Sequence, residues 1–255
     1  MISTKNFFPI DPKKDLNSQR LAHAISLVFH PLLLPTLFLG VLFFTTPLEV
    51  IALSSSLKWP FLGIVFIMTF VFPVCITAIV LLSRKAQQPI KTKPGEVSGH
   101  LIEEFYEAFP EERKENTGID LQMQTIQERK IVFALVSVVY IIATFLFDAR
   151  TYEIVPILTI ALEGITISLL VLTVITFFWK ISAHSVAIGG VLGIFFALSS
   201  KVGNGALMYH IVGTVILCGI VMTSRLYLDA HKPAQIVVGF IVGFIINFLT
   251  ILLFL

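Results

Sequence analysis

Residues 234–255 read AQIVVGFIVGFIINFLTILLFL, an apolar run of 22 residues without a charged side chain. A helix that crosses a membrane needs about 20 consecutive apolar residues, because its rise of about 1.5 Å per residue must cover a hydrocarbon layer about 30 Å thick. The run therefore predicts a transmembrane helix. Gly239 and Gly243 stand four residues apart on one face of it, which favours close contact with another helix.

Apolar segments of similar length recur along the rest of the chain. Hydrophobic residues make up 56% of the sequence and charged residues 13%, and the mean hydropathy is +0.91. Soluble domains have about 45–50% apolar and about 25% charged residues, so a soluble protein is excluded. We expect an all-α fold, a polytopic transmembrane helical bundle of about seven spans, with the other six at residues 21–44, 60–83, 131–147, 154–178, 184–201 and 206–223.

The polar segments predict the organisation of the chain. Residues 1–20 form a polar N-terminal segment, and two transmembrane helices follow within 21–83. A charged loop, 84–130, separates them from a transmembrane core at 131–255. Apolar residues recur at helical spacing within the loop, so part of it either lies on the membrane surface or belongs to a solvated loop.

The distribution of positive charge predicts the orientation. All but three of the 18 Lys and Arg residues fall on the N-terminal side of a seven-span topology, the exceptions being Lys58, Arg150 and Lys201. The positive-inside rule then places the N-terminus and residues 84–130 in the cytoplasm. We expect an integral protein of the inner or plasma membrane whose partners are membrane lipids and not nucleic acids. The sequence does not indicate its oligomeric state.

Basic residues of the types that bind phosphate or transfer protons lie at predicted helix ends on that same side. The stretch Ser224-Arg225-Leu226-Tyr227-Leu228-Asp229-Ala230-His231 joins the last two apolar segments, and Lys180-Ile181-Ser182-Ala183-His184 precedes another. Arginine pairs two phosphate oxygens through its planar fork and stays charged. Histidine transfers protons near neutral pH. These residues predict a phosphate site at the cytoplasmic surface.

The spacing of these residues resembles that of the type-2 phosphatidic acid phosphatase superfamily, the membrane lipid phosphatases related to the vanadium haloperoxidases. The family motifs are K-x6-R-P, P-S-G-H and S-R-x5-H-x3-D. Ser224, Arg225 and His231 match the third motif in type and spacing, and Ser182 and His184 match two letters of the second. The first motif is absent as written. The resemblance covers roughly residues 125–255 and implies a phosphatase-like core.

The resemblance also implies a role for each matched residue. His231 would attack phosphorus and form a phosphohistidine, and His184 would protonate the leaving alcohol. Gln235 stands where the family has the Asp that orients the nucleophile; its amide oxygen can accept the His N–H but carries no charge. The implied phosphate-binding residues are Arg225, Arg129, Lys130, Lys180 and Ser182. The substrate is a phosphomonoester or diphosphate on a lipid, and neither a cofactor nor a metal is implied.

Three other interpretations stay open. Val97-Ser98-Gly99-His100 matches P-S-G-H better by letter, but a charged stretch follows it instead of the helix whose N-terminus would favour an anion. A relative that binds phosphorylated lipid without turnover would need the basic residues but not both histidines. A small-solute transporter would depend instead on Glu163, an acid inside the fourth apolar segment. His30, in the first segment, is interpreted as a polar packing contact.

The predicted topology can be tested by cysteine labelling. In a background with Cys75 and Cys218 replaced, single cysteines within 1–20, 84–130 and 226–233 should react with a membrane-impermeant maleimide only after the membrane is opened, because these segments face the cytoplasm. A cysteine placed at Lys58 should react from outside and is the matched control. Labelling of the first group in sealed cells would contradict the topology.

Overall fold

The computed structural model describes residues 12–45, 54–87, 126–151, 156–203 and 205–255, and within these ranges the chain is helical, with no β-strand. A π-helical turn, Ile67–Val71, joins the third and fourth helices. The helices are α1 Pro12–Val28, α2 Leu34–Thr45, α3 Ser55–Phe66, α4 Phe72–Gln87, α5 Ile126–Thr151, α6 Pro156–Phe178, α7 Ala183–Val202, α8 Met208–Tyr227 and α9 Pro233–Phe254.

The prediction of an all-α membrane bundle is confirmed. Among the described residues, six helical stretches are long and apolar enough to cross a membrane, at Ser55–Val80, Lys130–Asp148, Pro156–Phe178, Ala183–Val202, Met208–Tyr227 and Pro233–Phe254. Their bounds lie within about five residues of the predicted apolar segments. The predicted loop 84–130 is shorter at both ends, because α4 extends to Gln87 and α5 begins at Ile126. Residues 88–125 lie outside the described part of the chain.

The first predicted span, 21–44, is wrong as one continuous helix. The chain leaves the helix after Val28, turns through His30–Leu33, and resumes as α2, which has only 12 residues. Pro31 explains the break, because it has no N–H to donate and its ring clashes with the preceding turn of a helix. A proline also disfavours the helical conformation of the residue before it, which explains why His30 lies in the turn.

The crossing of α7 and α9 is the most extensive helix contact in the described chain. It is lined by Gly189 and Gly193 on α7 and by Gly239 and Gly243 on α9. A Cβ atom on any of the four would overlap or crowd a backbone carbonyl of the facing helix. The close contact predicted from the glycine spacing is therefore confirmed. With no side chain between them, the two backbones approach closely enough for efficient van der Waals packing in lipid.

The helix α7 occupies the centre of the bundle. Its span is 61% buried inside the protein, and that of α6 is 56% buried, whereas the other spans are mostly exposed on their outer faces. The main core cluster draws on α2, α6, α7 and α8, with Leu39, Leu158, Ile194 and Val221 among its buried members. Because α7 is surrounded, the residues at its N-terminus meet several other helices at once.

Polar side chains inside the bundle pair with one another. Asn247 of α9 donates through Nδ2 to Ser168 Oγ of α6 at 2.7 Å and to its own helix at Gly243 O. Hydroxyl pairs also join α5 to α6, at Ser137–Thr173 and Thr144–Thr166. Buried polar groups without partners are costly in an apolar medium, so these pairs favour one register of the helices.

Aromatic side chains mark the two ends of the bundle. Phe178 and Trp179 are exposed at the C-terminal end of α6. Trp59 and Tyr209 are exposed near the N-terminal ends of α3 and α8, at the other end of the bundle. Such aromatic girdles are typical of the membrane–water interface. The turn that precedes His184 and the end of α8 therefore lie near one membrane boundary, while His210 and its partner Thr45 lie at the other.

The α7–α9 contact predicts the effect of adding one methyl group. Gly243→Ala should lower the free energy of unfolding by about 1–3 kcal/mol, because the new Cβ would overlap the Val186 carbonyl oxygen and force the helices apart. Gly213→Ala on α8 is the matched control, since nothing lies within 4 Å of its Cβ position. Thermal unfolding in one detergent should separate the variants, and an equal melting temperature for both would contradict the packing.

Candidate functional site

Three segments meet at Ser26, near the end of α1. His184 Nε2 lies 3.1 Å from the Ser26 carbonyl oxygen, and Arg225 donates from Nη1 to Ser26 Oγ at 3.2 Å. Ser224 Oγ lies 3.4 Å from the same hydroxyl. Because a carbonyl oxygen only accepts, the His184 contact puts a proton on Nε2. Ser26 thus connects the His of one predicted motif to the Arg and Ser of the other.

A second histidine from the N-terminal part of the chain joins this group. The rings of His30 and His184 are 5.8 Å apart between centroids and nearly perpendicular. His30 Nδ1 accepts from the Leu32 backbone N–H at 3.3 Å, which stabilises the turn before α2. The interpretation of His30 as a polar packing contact agrees with this structure, and the break at Pro31 places its ring beside His184.

The start of α7 is held by Ser182, which caps the helix. Its backbone is extended, its Oγ accepts from Ser185 N at 3.4 Å and from Ser185 Oγ at 3.0 Å, and the residue is fully buried. Ser and Thr are favoured at this position because their oxygen satisfies an N–H that the helix leaves without a partner. Ser182 therefore has a structural role that its assignment as a phosphate ligand did not include.

The turn between α8 and α9 has the geometry of a Schellman motif. Ala230 N donates to Arg225 O at 3.2 Å, and Asp229 N donates to Leu226 O at 3.0 Å. Asp229 adopts φ +48°, the left-handed conformation that this motif needs and that Gly usually supplies. Asp and Asn tolerate it better than other residues with side chains. The turn ends α8 at Arg225-Leu226-Tyr227 and directs the chain back through His231.

Gln235 links His231 to the start of α9. Its Oε1 lies 3.3 Å from His231 Nδ1 and accepts from the Lys232 backbone N–H at 3.0 Å. The second bond is half of a capping box, with Gln235 at the third helical position. If Nδ1 donates to this oxygen, the lone pair of His231 lies on Nε2. Gln235 is buried, so its amide is held in place at this helix start.

A backbone hydrogen bond joins the two motif regions directly. Ser182 N donates to Gln235 O at 3.3 Å, next to the contact of Gly239 with the Ser182 carbonyl. Arg225, His30 and His231 all lie within electrostatic range of His184. Arg225 carries a permanent positive charge, so this group of side chains can attract an anion. We call His30, His184, Arg225 and His231 the basic cluster.

The chain matches no family model, no curated protein and no solved structure. The assignment of the site therefore rests on its own residues and geometry.

The other predicted phosphate ligands lie on the α5–α6 side of the site. Lys130 places Nζ 5.3 Å from the centre of the Phe177 ring, a cation–π contact at the end of α6. Phe133, one turn further along α5, packs against the cluster formed by Leu172, Ile181 and Val186. Lys180 is exposed in the turn before α7. Arg129 belongs to the first turn of α5, and its side chain lies outside the described part of the structure.

Two of the open alternatives concern residues outside the basic cluster. Residues 97–100, the second match to P-S-G-H, lie outside the described residues. Glu163 is partly buried in α6, and the charge that acts on it is that of Asp148 on α5. Since Glu163 lies in the first half of α6, it is near the membrane boundary opposite to the basic cluster. Its role as a transport residue stays a prediction.

Sequence reasoning missed Ser26 as well as His30. Neither residue belongs to a motif, and Ser26 lies in a stretch that resembles an ordinary apolar span. The signal that could have indicated them is Pro31, which directly follows His30, because a proline in the middle of a predicted span indicates a break in the helix. The sequence did not indicate which helix ends this break would face.

The Schellman turn predicts the effects of two substitutions at one position. Asp229→Val should lower stability by about 1–2 kcal/mol, because a β-branched residue is strained at positive φ. Asp229→Gly should be neutral or stabilising by up to about 1 kcal/mol, because Gly adopts this conformation without strain. Thermal unfolding tests both. Equal stability of the two variants would contradict the turn. If the Asp229→Gly protein is stable but no longer releases phosphate, the Asp229 carboxylate would instead be assigned the role of orienting His231.

Proposed function

We propose that this chain is a membrane protein that hydrolyses a phosphomonoester or diphosphate on a lipid, with His231 as nucleophile and the site at the cytoplasmic surface. The observation that carries the proposal is the hydrogen bond between His231 Nδ1 and Gln235 Oε1. When Nδ1 donates in this bond, Nε2 carries the lone pair, which is the form of histidine that nucleophilic attack requires. The resemblance to the phosphatidic acid phosphatases adds support.

The proposed reaction has two steps. His231 Nε2 forms a bond to phosphorus while the bond from phosphorus to the lipid oxygen breaks, and the leaving oxygen takes a proton from His184. Water then attacks the phosphohistidine, its proton passes to His184, and phosphate leaves. In the imidazolium form, His184 carries protons on both nitrogens, so Nδ1 would donate while Nε2 stays bound to Ser26 O.

The basic cluster supplies electrostatic stabilisation. Phosphoryl transfer keeps negative charge on the phosphate oxygens, and catalysis depends mainly on positioning and on fixed positive charge. Arg225 is held by Ser26 and stays charged at any relevant pH. Its preset position avoids the cost of reorganising the group when the lipid phosphate binds.

A non-catalytic relative that binds phosphorylated lipid is the second candidate, and two contacts favour it. Gln235 supplies no negative charge to stabilise an imidazolium at His231, and in a serine protease triad the change from Asp to Asn costs about 10⁴ in rate. His184 also donates Nε2–H to a backbone carbonyl, which removes that nitrogen from proton transfer to a substrate. Binding through Arg225 needs neither function.

Substitutions at His231 and Gln235 separate the two candidates. With phosphatidic acid as substrate, His231→Ala should abolish phosphate release and any acid-labile phosphoenzyme. Gln235→Glu keeps the length of the side chain and both hydrogen bonds but adds a charge, so it should raise the rate on the order of 10-fold or more. His210→Ala, at the other membrane boundary, is the matched control and should leave the rate unchanged.

The measurements are phosphate release and trapping of radiolabelled phosphoenzyme by purified protein in detergent. A wild-type rate that His231→Ala leaves intact would contradict the phosphohistidine mechanism. Absence of turnover on a panel of lipid phosphates, together with binding that Arg225→Ala abolishes, would assign the chain to the second candidate.

A further inference from the structure

A groove of about 390 Å³ lies between α1 and α8. Its walls are largely apolar and include Ala22 and Ile25 from α1 and Gly219, Ile220 and Tyr227 from α8. The volume is within the range of about 300–1,000 Å³ that is usual for small-molecule sites. Gly219 leaves a notch in the α8 wall, because nothing lies within 4 Å of the position that its Cβ would occupy.

One end of the groove reaches the basic cluster. Ser224 lines the groove, and its Oγ lies 3.4 Å from Ser26 Oγ, the hydroxyl that accepts from Arg225 Nη1. An amphipathic molecule with its anionic end at Arg225 could therefore extend its apolar part between α1 and α8.

The groove also has the correct position in the membrane for a lipid. Its α8 wall lies in the second half of the candidate span Met208–Tyr227, on the side of the membrane boundary at which Arg225 sits. In a phospholipid the phosphate lies at that boundary and the acyl chains extend from it into the apolar layer. The arrangement of charge above and apolar wall below matches the two ends of such a molecule.

We propose that this groove holds one acyl chain of the phosphorylated lipid whose phosphate binds at the basic cluster. The proposal rests on the proposed function and narrows its substrate to a lipid phosphate or diphosphate that carries a long acyl chain. The chain gains little hydrophobic free energy by moving from the bilayer to the groove, since both surroundings are apolar. The main effect of binding the acyl chain in the groove is to position the phosphate against Arg225 and His231. Contacts far from the reacting atoms assist a reaction in this way.

The test uses a pair of matched glycine substitutions on α8. Gly219→Leu places a side chain in the groove, and Gly213→Leu adds the same side chain to an equally open position on the same helix that does not line the groove. The full chain is reconstituted in phosphatidylcholine nanodiscs with phosphatidic acid that carries a diazirine in one acyl chain. Cross-linked peptides are then mapped by mass spectrometry after irradiation.

Wild type and Gly213→Leu should be cross-linked within 18–25 and 219–227, and excess unlabelled phosphatidic acid should compete, whereas phosphatidylcholine should not. Gly219→Leu should lose at least about tenfold of this signal, because the new side chain occupies the groove. Thr223→Phe, from the same wall, provides a second variant if Gly219→Leu does not fold. Cross-links spread evenly over all lipid-facing helices, or unaffected by both groove variants, would overturn the proposal.

Cross-linking does not depend on turnover, so the two proposals can fail separately. Phosphate release by wild type, measured in parallel, tests the proposed function, and the catalytic variant His231→Ala should keep the groove cross-links. If the wild type releases no phosphate, but its groove cross-links form and unlabelled phosphatidic acid competes with them, the result would support the groove and contradict the hydrolase. Co-purification of two differently tagged copies that Gly219→Leu abolishes would assign the groove to a second copy of this chain and overturn the acyl-chain proposal.

Discussion

The backbone contact between α7 and α9 is the constraint on which the site depends. Four glycines allow the two helices to approach until each glycine meets a carbonyl of the facing helix. That approach brings the N-terminal ends of both helices together, where Ser182 N donates to Gln235 O. A larger residue at Gly243 would overlap the Val186 carbonyl and separate the helices. The register of the crossing thus determines how the His184 region meets the His231 region.

The local geometry at these helix starts serves both folding and the proposed chemistry. Ser182 caps α7, and Gln235 helps to cap α9 while its Oε1 contacts His231 Nδ1. Asp229 completes the turn that returns the chain from Arg225 to His231. Because each of these residues satisfies backbone groups, its replacement changes stability as well as activity. Thermal unfolding must therefore accompany every activity measurement at this site.

The N-terminal helices complete the site from outside the crossing. Ser26 binds both His184 and Arg225, and His30 packs its ring against His184. The same α1 segment forms one wall of the groove that reaches Ser224. An anion at the basic cluster would thus be enclosed by α1, the start of α7 and the end of α8. Under the two proposals, this arrangement would let one lipid contact the basic cluster and the apolar groove together.

The sequence by itself determined the membrane class, the six long apolar helices of the described residues and the glycine contact, because each depends on residue type at a fixed local spacing. The apolar run 234–255 and the pair Gly239 and Gly243 are examples, and so is the spacing from Arg225 to His231. Only the tertiary structure decided that His30 and Ser26 join His184. Their approach depends on where the chain bends at Pro31 and on which helix ends that bend faces, and no local pattern carries that information.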